Sequence, residues 1–139
     1  MAWTVHIHHI DVGQGASALI EMKSLDGLSR TVLIDGGGKD AAKPILNYCR
    51  GHGIDKVDLV ISSHYDTDHI NGIREILKST STIFRDSVIF DRGELGGIDH
   101  LGRVDGRPNE YIAYLQAVGQ RLRVTQSIAP TDRSRSASP

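Results

Sequence analysis

The chain has 139 residues, with 16 basic and 17 acidic side chains and a formal net charge of −1. This length predicts one domain rather than two. The balanced charge excludes a strongly basic protein that coats nucleic acid, although a nucleic acid held in a local site is still compatible with it. Charged residues make up 24% of the chain and hydrophobic residues 39%, which is typical of a globular domain.

The sequence contains no sign of a membrane or secretory segment. No apolar run approaches the ~20 residues that a membrane helix needs. The opening residues, Met1-Ala2-Trp3-Thr4, are not a basic segment followed by an apolar run. The single Cys49 cannot form an intramolecular disulfide, which fits a reducing compartment. We therefore expect a cytoplasmic protein without a membrane segment.

The first part of the chain predicts three strands and then a helix. Alternation of apolar and polar residues or short apolar runs predict strands over 3–10, 16–22 and 31–35. Three glycines, Gly36 to Gly38, end the third strand. A helix is predicted over 41–50, with Asp40 as its N-cap.

The second part continues this alternation. Strands are predicted over 58–62 and 87–91, and helices over 70–77 and 109–122. The polar, Gly-rich segment 92–108 is predicted to be a long loop. Residues 1–128 would form the domain, and 129–139 a disordered polar tail. The order of elements predicts a layered α/β fold, and the short connections between the first strands indicate a mixed sheet.

Two histidines and two aspartates follow the buried strand 58–62 directly: His64, Asp66, Asp68 and His69. Ligands of α/β proteins usually bind at the carboxyl ends of the strands. Because His64 and Asp66 are two residues apart on an extended loop, both side chains can point to one ion. Asp68 and His69, at a turn into a helix, can serve a second ion. Imidazole and carboxylate ligands suit Zn²⁺, and also Mn²⁺ or Fe. The alternative is that Asp68 or His69 only caps the helix.

The stretch His64-Tyr65-Asp66-Thr67-Asp68-His69 resembles the H-x-[HD]-x-D-H signature of the metallo-β-lactamase-fold hydrolases. Asp66 replaces the commoner His, a variant that resembles the hydrolase domain of ComEC-type competence proteins. Segments 10–15 and 32–37 resemble that branch's opening turn and its strand ending in Asp. The similarity covers roughly residues 5–73, about half of the chain.

This resemblance implies an αββα layered sandwich and a role for each matched residue. It implies that His64 and Asp66 bind the first metal and that Asp68 and His69 serve the second. Asp68 would also orient the attacking water. Asp35 would hold the loop that bears these ligands, residues 63–69, through hydrogen bonds; we call this loop the metal loop. Asp11 would support the rim of the site. Family members often carry an Asp where this chain has Ala16, so any polar role is lost there.

The resemblance also implies a second half that supplies further ligands, which include another His, a bridging Asp and a last His. We therefore expect only the N-terminal half of the fold here. After His69 the sequence contains only one further His and five Asp as candidates: His100, Asp86, Asp91, Asp99, Asp105 and Asp132. We interpret His100 as a solvated loop residue. A half-sheet would expose apolar surface, so we expect a homodimer, or a partner that covers this face.

Other polar groups receive structural interpretations. His6, His8 and His9 alternate on the first strand and are interpreted as a polar face. The glycines before Lys39 lack the Lys-Ser or Lys-Thr pair of a P-loop. We interpret Lys39 and Lys43 as solvated, although they can also meet an anionic substrate.

Two functions of different classes follow. The first is a metal-dependent hydrolase that acts on phosphodiester or similar ester bonds, with nucleic acid as a candidate substrate on the strength of the resemblance alone. The second is a truncated metal-binding remnant, or interaction module, without turnover.

Overall fold

The computed structural model describes residues 2–91, 108–121 and 125–127. These form one six-stranded sheet, in the order β1-β2-β3-β4-β5-β6, and three helices. The strands are β1 (Trp3–His9), β2 (Ala18–Ser24), β3 (Ser29–Ile34), β4 (Leu59–Ile61), β5 (Val88–Asp91) and β6 (Thr125–Ser127). The helices are α1 (Ala42–Gly51), α2 (Thr67–Lys78) and α3 (Pro108–Arg121).

The sheet is mixed, which confirms the predicted α/β class. β1 to β3 are antiparallel neighbours, whereas β3 to β6 are parallel. The physical reason lies in the connections. Short turns join the first three strands, and each parallel pair is joined by a crossover that contains a helix.

One face of the sheet carries the hydrophobic core. Leu19, Leu33, Val60 and Ile89 are cross-strand partners on β2 to β5, and none exposes more than 1% of its surface. The helices contribute fully buried side chains to the same cluster, among them Ile45, Ile73, Ile76 and Tyr114.

The opposite face of the sheet is apolar but open. Ile7, Ile20, Val32, Leu59 and Val88 form one row across five strands, and none of them is buried. On the edge strand, Ile7 is 62% exposed. No element among the described residues buries this row, so the sheet presents a continuous apolar surface, which we call the open face.

Two predicted helix starts are wrong. The Asp40 N-cap is replaced by Ala41, whose carbonyl accepts the first bond of α1, from the amide of Ile45 at 3.0 Å, and no side chain caps this end. Helix α2 begins at Thr67, not at residue 70, with Asp66 in the N-cap position. Asp68 and His69 therefore lie inside the first turn and cap nothing.

Several predictions concern residues outside the described ranges: the loop after Asp91, the boundary at residue 128, the tail 129–139, Asp99, His100, Asp105 and Asp132. Within the described ranges, no helix has both the length and the apolarity to cross a membrane.

Candidate metal centre

The candidate site lies at the end of the sheet where the carboxyl ends of β1, β3 and β4 lie side by side. Because β1 is antiparallel to β2, and β2 to β3, the carboxyl ends of β1, β3 and β4 all meet there. Asp35 directly follows β3, and His64 follows β4 by three residues. The parallel part of the sheet thus brings together two segments that are distant in the sequence.

Asp35 holds both ends of the loop that carries the histidines. Its carboxylate accepts bonds from the Ser63 amide at 2.8 Å, the Ser63 hydroxyl at 2.6 Å and His69 Nδ1 at 3.0 Å. The residue as a whole is only 5% exposed, and its backbone φ of 59° lies in the left-handed region, which Asp tolerates better than most residues. A His that donates from Nδ1 to a carboxylate keeps Nε2 as an acceptor for a metal.

The four predicted ligands form two close pairs, and neither Asp66 nor Asp68 belongs to the group of ligand atoms that lie within 4.8 Å of one another. His64 Nε2 is 3.5 Å from Asp66 Oδ2, and His69 Nε2 is 3.6 Å from Asp68 Oδ1. The two imidazole rings have centroids 3.8 Å apart. Thus each histidine has one carboxylate oxygen within 4 Å of its Nε2 atom.

These distances fit a metal ion. Two ligand atoms at 2.0–2.2 Å from an ion, separated by a tetrahedral angle, lie about 3.4 Å apart. The two Nε2–carboxylate distances are close to that value. Asp35, His64 and His69 also place ligand atoms within 4.8 Å of one another, the one such group among the described residues. The nitrogen and oxygen donors are those that Zn²⁺ accepts.

Glycines allow the three segments of the site to touch. A Cβ at Gly72 of α2 would collide with the carbonyl oxygen of Gly36, and a Cβ at Gly15 would collide with that of Asp68. Backbone bonds join the same segments, from Gly36 to the His69 carbonyl at 2.9 Å and from Gly72 to the Gly37 carbonyl at 3.0 Å. The scaffold around the candidate ligands is therefore built by backbone contacts.

Asp11 and Ala16 lie on the turn after β1. Asp11 Oδ1 accepts a bond from the Gly13 amide at 3.0 Å and so shapes this turn locally. Ala16 contributes only its backbone, because its carbonyl accepts a bond from Gly37 at 3.0 Å. Both residues are exposed, and the turn that they shape leads to Gly15, which contacts Asp68.

Tyrosines of α3 pack beside the metal loop, a cluster that the sequence analysis does not predict. The Tyr114 hydroxyl of α3 donates to Asp91 Oδ2 at 3.2 Å, and the rings of Tyr65 and Tyr111 meet with centroids 4.6 Å apart. Burial, followed by the nearby Asp91 charge, raises the pKa of both Tyr65 and Tyr114, so these phenols stay protonated. The signal available was the spacing of Tyr111 and Tyr114, three residues apart on one helix face.

The histidines of β1 form a different cluster. His8 Nδ1 is 2.7 Å from the Tyr48 hydroxyl, and His8 Nε2 is 3.7 Å from Glu21. The ring of His52 stacks on Tyr48 with centroids 4.0 Å apart. The expected polar face is thus half-buried against α1 at His8. Cys49 of α1 is fully buried, and burial raises the pKa of its thiol to about 11.

The fold and the site together define an α/β class in which candidate metal ligands follow the strand ends. The family model for the metallo-β-lactamase superfamily matches residues 10–83, more than half of the chain. The chain belongs to this superfamily. Among curated proteins, no relative matches the chain.

Two solved structures share the fold, and a third is similar over a smaller part of the chain. A candidate metallo-β-lactamase from Thermotoga maritima is 13% identical with a TM-score of 0.54, and the match covers 95% of this chain and 61% of that one. For a long-form RNase Z from yeast, the identity is 17%, the TM-score 0.50 and the coverages 88% and 18%. A subclass B3 metallo-β-lactamase from a soil metagenome is 24% identical, with a TM-score of 0.43 and coverages of 60% and 29%. The chain spans less than two thirds of each of these structures.

Proposed function

We propose that this chain carries the metal site of a hydrolase that acts on phosphodiester or similar ester bonds. The observation that supports it best is the pair of Nε2–carboxylate distances, 3.5 Å at His64 and 3.6 Å at His69. The likeness to RNase Z, an enzyme named for its action on RNA, favours a phosphodiester over other esters.

The residues of the chain have distinct roles in this proposal. His64 and Asp66 would hold one ion, and Asp68 and His69 would serve a second. A bound Zn²⁺, Mn²⁺ or Fe ion would supply Lewis acidity and lower the pKa of water. Asp68 is half-buried at the start of α2, where its carboxylate can orient the attacking water and accept its proton. Asp35 keeps His69 oriented through the 3.0 Å bond to Nδ1.

The branch of the superfamily is also part of the proposal. Asp66, in place of the commoner His, favours the ComEC-type competence branch. A nucleic-acid substrate is the corresponding expectation. The single Cys49 is the basis for a cytoplasmic location.

Hydrolysis of a generic phosphodiester, bis(p-nitrophenyl) phosphate, in the presence of Zn²⁺ or Mn²⁺ tests the proposal. Asp68→Ala should lower kcat at least about a hundredfold, because it removes the proposed proton acceptor. Asp26→Ala is the control, since Asp26 is an exposed carboxylate in the turn between β2 and β3, at the opposite edge of the sheet. Equal rates in the wild type and Asp68→Ala would contradict the enzymatic role.

The second candidate is a metal-binding remnant or interaction module without turnover. It is favoured by one observation: all the candidate ligands come from one loop and the strand end behind it, and the described residues contain no other such group. Bound metal without any hydrolysis would support this candidate and not the first.

The open face supports a further expectation about partners. A row of five apolar residues that crosses five strands is larger than the isolated apolar contacts common on monomers. We propose that a second half of the fold, or a second copy of the chain, covers it. Light scattering of the purified chain should show a dimer or larger species, and a stable monomer that unfolds cooperatively would contradict this.

A further inference from the structure

A polar cavity of about 340 Å³ opens beside the candidate metal ligands. Its walls include Asp66 and Asp68, which it shares with the proposed metal site, but the other lining side chains have no metal-ligand role. These are Gln14, Lys39, Thr67 and Asn71. Small-molecule sites begin at about 300 Å³, so the cavity has room for a small anionic group and its attachments.

The cavity is formed by three segments that the glycine contacts fix relative to one another. Gln14 lies on the turn after β1, Lys39 follows the glycines after β3, and Thr67 and Asn71 belong to the start of α2. Because Gly15 has no side chain, the first segment can lie directly against Asp68 of the third. Hydrogen bonds from Gly36 and Gly72 hold the second segment against the third. The cavity therefore belongs to the backbone framework of the site.

Two of the lining groups lack partners among the described residues. The Lys39 ammonium is exposed and forms no ion pair with a described carboxylate. Asn71 Oδ1 is buried and has no hydrogen-bond partner. The cavity thus offers a cation, two amides and a hydroxyl, which are groups that bind anionic oxygens.

The charges determine which ligand fits and when. Two carboxylates and one ammonium give the bare cavity a net charge of −1. A divalent cation bound at either Asp66 or Asp68 would change it to +1. The bare cavity would therefore repel an anion, and a bound divalent cation would make the cavity attractive to one, with Lys39 as the positive charge that the chain itself supplies. This dependence distinguishes the cavity from a surface lysine patch, which would bind anions without metal.

We propose that this cavity receives the phosphate of the substrate and that Lys39 binds one of its non-bridging oxygens, with Gln14, Thr67 and Asn71 as further donors. The inference rests on the proposed function and extends it, because it identifies the residues that distinguish a phosphodiester from a neutral ester. Lys39 is then a residue of substrate binding and not of metal binding.

Binding of uridine 5′-monophosphate to the metal-loaded protein, measured by titration calorimetry, tests this inference without turnover. Lys39→Met should weaken binding about tenfold, because a charge-assisted hydrogen bond is lost, and should leave the metal content unchanged. Lys43→Met is the matched control, because Lys43 is also exposed, on α1, but does not line the cavity. Its binding should change less than twofold.

A second measurement compares two substrates. Lys39→Met should raise the ratio of the KM for bis(p-nitrophenyl) phosphate to the KM for neutral p-nitrophenyl acetate about tenfold. Equal weakening in Lys39→Met and Lys43→Met, no weakening in either, or no nucleotide binding by a wild type that holds metal would overturn the inference and leave the metal-site proposal standing. A wild type without metal would overturn both, because the cavity needs the charge of the ion.

Discussion

Two histidine clusters of similar composition occur in this chain, and they differ in what surrounds them. At the metal loop, His64 and His69 each present Nε2 to a carboxylate, and the buried Asp35 fixes the second nitrogen of His69. On β1, His8 uses Nδ1 for the Tyr48 hydroxyl and has only Glu21 near Nε2, at 3.7 Å. His52 contributes its ring face to Tyr48 and not a ligand atom.

The comparison shows that the number of histidines does not define a metal site. The metal loop lies at the carboxyl ends of parallel strands, where several carboxylates converge and glycines permit close backbone contact. The β1 cluster surrounds His8 near the end of an edge strand, and its aromatic partners are Tyr48 of α1 and His52, which directly follows that helix. Only the first cluster therefore combines free nitrogens with more than one carboxylate.

The largest expected effect comes from adding a side chain at the point where α2 touches the glycines that follow β3. Gly72→Ala places a Cβ against the Gly36 carbonyl and should lower the free energy of unfolding by at least about 3 kcal/mol. Urea denaturation measures this. Gly119→Ala in α3 meets open space and should instead stabilise the protein by about 0.5–1 kcal/mol. Equal effects of the two substitutions would show that the backbone contact does not matter.

Removal of the Asp35 charge tests the support behind His69. Asp35→Asn keeps a residue that tolerates the left-handed backbone but weakens the bond to His69 Nδ1. Metal affinity should fall about 10–100-fold in a chelator competition assay. The control is Asp58→Asn, since Asp58 also accepts a backbone bond, from Thr31 at 2.8 Å, but at the start of β4. A similar loss of affinity in both variants would refute the special role of Asp35.

The β1 cluster should respond only in stability. His8→Gln removes the contact between the imidazole and Tyr48 and should lower the free energy of unfolding by about 1 kcal/mol. Metal affinity, measured in the same chelator competition, should not change. A loss of metal in this variant would contradict the distinction between the two clusters.

The smallest effect concerns Glu21. Its pKa is lowered mainly by the hydrogen bond from Lys23, at 2.8 Å. A lowered pKa contributes stability above the unfolded pKa, and this contribution is lost as the pH falls through the folded pKa. Lys23→Met should therefore reduce stability at neutral pH by about 0.5 kcal/mol, and the difference from the wild type should disappear in acid. Thermal melts from pH 7 to pH 3 measure this, and a difference that persists in acid would contradict it.

The sequence predicts most of the sheet and the loop that bears the candidate ligands. Buried strands such as β4 have an unambiguous apolar run, and His64, Asp66, Asp68 and His69 follow it directly. Their assignment to individual ions is still a prediction. The same holds for the roles of Asp35 and Asp11.

Other features depend on tertiary contacts that no local pattern contains. The turn of α2 that holds Asp68 and His69 begins earlier than its apolar periodicity indicates, because the loop packs on Asp35 and Gly36. On β1, Ile7 extends the apolar row of the open face, so its neighbour His8 points to the opposite face of the sheet, where it contacts Tyr48 of α1. The short β6 has too few residues for an alternation to appear.

The central claim is that the metal-loop histidines, and not those of β1, bind the metal. The most direct test is elemental mass spectrometry of the purified wild type beside His69→Ala and His8→Ala. We expect about one or two equivalents of metal in the wild type and in His8→Ala, and a clear loss in His69→Ala. A wild type without metal, or equal loss in both variants, would contradict the account.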